Sequence, residues 1–96
     1  METLETFAHL ILHHRNQLGM TRVTAAKRLN LSYHKLFMWE HGVLRPPKEI
    51  KELRPFCEVY GIPLTRLQLS VDHQNVMKQI DKKKLEEERH GKIVRL

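Results

Sequence analysis

Residues 21–42 read TRVTAAKRLNLSYHKLFMWEHG. Thr21 is placed to cap a short helix over residues 22–29, because its hydroxyl can accept from a first-turn amide. Ala25, Ala26 and Leu29 give that helix its small and apolar packing positions. Asn30 suits the corner that follows, since Asn tolerates positive φ better than other non-glycine residues. Leu31 plugs the corner. Ser32 then caps a second helix over 33–41, with Leu36 and Trp39 inward and Gly42 as its stop.

Working outward, the spacing predicts a helix over residues 3–18, with Leu4, Phe7, Ile11, His14 and Leu18 as one buried stripe and Gly19 as its cap. Downstream, 43–47 is a loop held by two prolines, and Pro47 suits the first turn of a fourth helix. That helix carries Ile50, Leu53, Phe56 or Cys57, and Tyr60 at helical spacing. Pro55 removes one donor inside it and is expected to kink or split it. Gly61 and Pro63 end it, and a short fifth helix near Thr65 buries Leu64 and Leu67. Residues 72–90 hold few apolar positions and many charges, as an exposed, partly amphipathic helix would. The closing KIVRL, residues 92–96, suits an edge strand. The expectation is all-α: a compact five-helix domain over 1–70 with a charged helical extension over 71–96.

The chain is 96 residues long, with 41% hydrophobic residues, enough for a modest core. Lys and Arg number 17 against 11 Asp and Glu, leaving +6, which favours a polyanionic partner. Between residues 22 and 48 there are six basic residues (Arg22, Lys27, Arg28, Lys35, Arg45, Lys48) and one acidic, Glu40. A single cysteine, Cys57, excludes an internal disulfide and points to a reducing compartment. No apolar run approaches the ~20 residues that span a bilayer. A cytoplasmic, nucleoid-associated location with no membrane partner is expected. His9, His13 and His14 lack further ligands at metal-site spacing and read as a polar face. No phosphate loop, nucleophile elbow or paired carboxylates appear, so neither an enzyme nor a cofactor is expected.

Two short helices joined by a tight corner have the layout of a helix-turn-helix, whose second helix enters the DNA major groove. The residues extend the likeness. RNQLGMT at 15–21 resembles the R-x-x-L-G-L-[ST] run that opens the phage-repressor (Cro/lambda-repressor-like, XRE-type) helix-turn-helix domain. A-A-x-x-L-x-L-S at 25–32, W-E-x-G at 39–42 and the apolar-G-[IV] of 60–62 follow in the family's order, over about two-thirds of the chain. The resemblance implies transcriptional control, usually repression, by a dimer on a palindromic operator. It also implies an ion pair between Arg15 and Glu40. Arg22 stands where the family often has Gln, and Asn30 where it often has Gly.

By the same resemblance, base contacts fall to Tyr33, His34 and Phe37, with Met38 beside them. Tyr33 and His34 offer single hydrogen bonds, and Phe37 and Met38 can pack on thymine methyls. Alternatively, Phe37 and Met38 form a protein-binding patch, or pack inward. Phosphate contacts are expected from Arg22, Ser32, Lys35, Arg45 and Lys48. Dimerisation is assigned to Ile62, Leu64, Leu67 and Leu69, aided by the tail, which otherwise is solvated. A second function remains open: a protein-interaction module of the same fold, such as an antitoxin or an accessory regulator.

Overall fold

Thr6 opens the first helix of the computed structural model, which describes residues 5–78; its hydroxyl accepts from His9 N at 3.2 Å. Helix α1 (Phe7–Gln17) thus begins later than the spacing predicts. Its buried stripe is Phe7, Leu10, Ile11 and Arg15. Leu18 lies beyond the last turn, half exposed, and Leu4 is outside the described residues. Gly19 takes a φ of 68°, which ends the helix at little steric cost.

Helix α2 (Arg22–Leu29) and helix α3 (Tyr33–Glu40) are capped by Thr21 and Ser32, whose hydroxyls accept from Thr24 N and Lys35 N. Between them Asn30 adopts φ 57° and ψ 45°, the left-handed conformation. Its amide donates to the last turn of α2, and Leu31 N reaches Ala26 O at 2.9 Å. These bonds satisfy the carbonyls that the end of α2 would otherwise leave open. The buried Ala25, Ala26 and Leu29 line the side of α2 that faces the core.

A loop returns from α3, tied by the Trp39 indole, which donates to Arg45 O at 2.9 Å. Pro46 and Pro47 are buried in this loop; Pro47 lies ahead of the helix rather than in its first turn. Helix α4 (Ile50–Tyr60) follows Glu49 at its N-cap and runs through Pro55 as one element. The donor that Pro55 lacks would have met Lys51 O, on an exposed stretch of the helix where solvent can serve. Its buried residues are Leu53, Phe56 and Tyr60, while Ile50 is exposed. Helix α5 covers 64–78 without a break, far longer than the short helix expected, and crosses the anticipated boundary at 70/71. Val71 and Gln74 are buried beyond that point, and Gln74 Oε1 accepts from Ala8 N at 2.8 Å. The expected strand at 92–96 lies outside the described residues.

Among the described residues the protein is all-helical, five helices around one core. At its centre Phe7, Trp39 and Phe56 meet edge to face, with centroids 5.4–6.0 Å apart. That geometry adds about 1 kcal/mol per pair to the area buried. The rings come from α1, α3 and α4, so the cluster fixes α3 against two other helices. No helix among the described residues is long and apolar enough to cross a membrane.

Candidate nucleic-acid interface

Glu40, at the end of α3, has a fully buried carboxylate. Arg15 donates to it through Nε at 2.7 Å and Nη2 at 3.1 Å, and places Nη1 on Met20 O. Arg22 donates to the same carboxylate through Nε at 2.8 Å. One anion thus joins α1, α2 and α3. A buried carboxylate is tolerable only when paired and hydrogen-bonded, and here three N–H groups serve it.

Arg22 continues outward from this junction. Its Nη1 donates to the Tyr33 hydroxyl at 3.1 Å. Its guanidinium carbon lies 5.0 Å from the Phe37 ring centroid and 5.6 Å from that of Tyr33. The hydrogen bonds to Glu40 and then Tyr33 push the Arg22 pKa up from its ordinary value. Phe37 is also covered by His41, with ring centroids 4.1 Å apart. Tyr33, Phe37 and His41 are spaced by four and share one side of α3.

The residues expected at bases therefore differ in placement. Tyr33 and Phe37 remain 48% and 37% exposed, and His34 is exposed. Met38 is half-buried, with its carbonyl accepting from Val43 N and Leu44 N of the following loop. Those expected at phosphates also separate. Arg22 is directed to Glu40 and Tyr33. Ser32 Oγ is engaged by Lys35 N, and Lys35 Nζ lies 4.9 Å from the Trp39 ring centroid. Arg45 is exposed; Lys48 lines a groove with Leu53, Thr65, Leu69 and Asp72, beside α5. The four residues assigned to dimerisation do not form one surface. Ile62 and Leu67 are 1% and 0% exposed in the monomer's core, Leu64 is half-buried, and Leu69 is exposed. Val76 and Met77 are exposed further along α5.

Two contacts of this region were not read from the sequence. Arg22 joining the Glu40 pair had a signal: a cation at the first position of a helix opposes the dipole and needs a nearby anion. The sole carboxylate between residues 22 and 48 is Glu40. His41 over Phe37 had the plain signal of two aromatic rings four apart. His9 and His13 stack 6.1 Å apart, and no group of three metal-ligating side chains occurs among the described residues. No family model matches the chain, and no curated protein or solved structure matches it.

Proposed function

We propose that the protein is a DNA-binding transcriptional regulator, most simply a repressor, in which α2, the Asn30 corner and α3 form a phage-repressor-like helix-turn-helix. The observation that carries this reading is α3 itself. It is capped by Ser32, set against α2 by a left-handed corner and pinned by Glu40, yet it leaves Tyr33, His34 and Phe37 open to solvent. A rigid helix with an exposed polar–aromatic face suits the major groove. The basic excess between residues 22 and 48 supplies the attraction to phosphate. Two copies on a palindromic site, in the cytoplasm, complete the proposal.

Footprinting on genomic fragments at two salt concentrations tests it. One palindromic protected site is expected, and Tyr33→Ala with His34→Ala should weaken specific binding more than non-specific binding. No protected site at low salt, together with a stable protein partner in pull-down, would instead establish the interaction-module reading. The exposed Leu69, Val76 and Met77 on α5 favour that second reading as well as a dimer.

A further inference from the structure

The exposed rings of α3 are held in place. Phe37 has the Arg22 guanidinium carbon 5.0 Å from its centroid and the His41 ring centroid at 4.1 Å. The Tyr33 hydroxyl accepts from the same guanidinium, which is anchored in turn to a fully buried carboxylate. With Nε on Glu40 and Nη1 on Tyr33, two of Arg22's five N–H donors are engaged and its side-on Nε–Nη2 fork is closed to a base. The exposed Tyr33 and Phe37 rings put aromatic carbon on this flank of α3. A free ring gives up rotamer freedom when a ligand immobilises it. Rings already braced do not. In the major groove the apolar feature of a base pair is the C5-methyl of thymine, a group that 5-methylcytosine shares.

Resting on the DNA reading above, we infer that the Tyr33–Arg22–Phe37 stack reads the C5-methyl group of a pyrimidine, and that Arg22 is the positioning residue holding both rings rather than a phosphate contact. The methyl lies against the exposed edge of Phe37 with Tyr33 alongside. Arg22 contributes to specificity through the rings, while non-specific affinity comes from other cations.

The test uses the full chain and duplexes enriched by it from a random-sequence pool. Each thymine of an enriched duplex is replaced in turn by deoxyuridine, which removes only the methyl, and binding is compared by competition. One position in each half-site should weaken about four-fold, the transfer value of a single buried carbon group. A cytosine placed there should bind more tightly when 5-methylated. Phe37→Ala, at an exposed position, should bind the thymine and deoxyuridine duplexes equally. Arg22→Lys keeps the charge, so its salt slope should match the parent's while the thymine preference disappears. Deoxyuridine duplexes that all bind as well as the parent would overturn the inference and leave DNA binding intact. So would an Arg22→Gln variant whose salt slope drops by about 0.9 with every duplex weakened alike, the mark of a lost phosphate contact. Failure to enrich any duplex overturns the DNA reading itself, and the inference with it.

Discussion

At Glu40 a carboxylate without solvent exposure accepts from two arginines that come from different helices. Removing the charge leaves Arg15, itself buried, facing a low-dielectric site without its partner. Glu40→Gln is expected to lower stability by about 3 kcal/mol in urea unfolding. Arg22→Gln should cost far less, because Arg22 is partly exposed and Arg15 still serves the carboxylate. Tyr60 is a different case. Its hydroxyl is buried with no partner among the described residues, and burial, reinforced by the charge of Glu40 and opposed by Arg15, pushes its pKa up. The folded protein therefore keeps the phenolic proton at pH values where the unfolded chain releases it. This contribution is fully present below pH about 10 and is lost as pH rises through the folded value. Tyr60→Phe should match or slightly exceed the parent at neutral pH, since it removes an unpaired buried group. It should also lose less stability than the parent between pH about 8 and about 10.5. Urea midpoints at both pH values measure the difference.

At the scale of elements, the corner between α2 and α3 rests on Asn30 and Ser32. Asn30→Ala keeps a β-carbon in a left-handed backbone but loses the short polar side chain that makes Asn tolerant of it, and should cost about 1 kcal/mol, whereas Asn30→Gly should be close to neutral. Ser32→Ala should cost about 1 kcal/mol by exposing the Lys35 amide. Both follow from thermal melts. These caps and the corner were legible because each depends on a residue and its immediate neighbours. The course of α4 through Pro55 was not, because packing of Leu53, Phe56 and Tyr60 holds the helix despite one missing donor. The long α5 was missed for a related reason. Its second half reads as charged and solvated, yet Val71 and Gln74 turn inward, and Gln74 caps the start of α1 from 66 residues away. Gln74→Ala should lower stability by about 1 kcal/mol.

At the scale of the whole molecule, α5 closes the fold, so a chain ended after residue 70 should melt well below the full chain, having lost Val71 and Gln74 from the interior. Sedimentation on Leu69→Glu tests whether copies pair through the exposed side of α5; a dimer that uses it should dissociate, while Leu67→Glu should unfold the monomer. The sequence by itself determined the all-helical class, the caps, the left-handed corner and the basic excess. Those follow from local hydrogen bonding, backbone sterics and charge count. Only the tertiary structure decided where Arg22 points, which leucines are interior and how α5 seals α1. A side chain's partner depends on what distant segments bring within a few ångströms, and spacing along the chain does not encode that. The same distinction separates α3 as a capped helix with one exposed side, largely readable from residues 21–42, from the braced Tyr33 and Phe37 rings on that side. The bracing exists because Glu40, Arg22 and His41 meet around them.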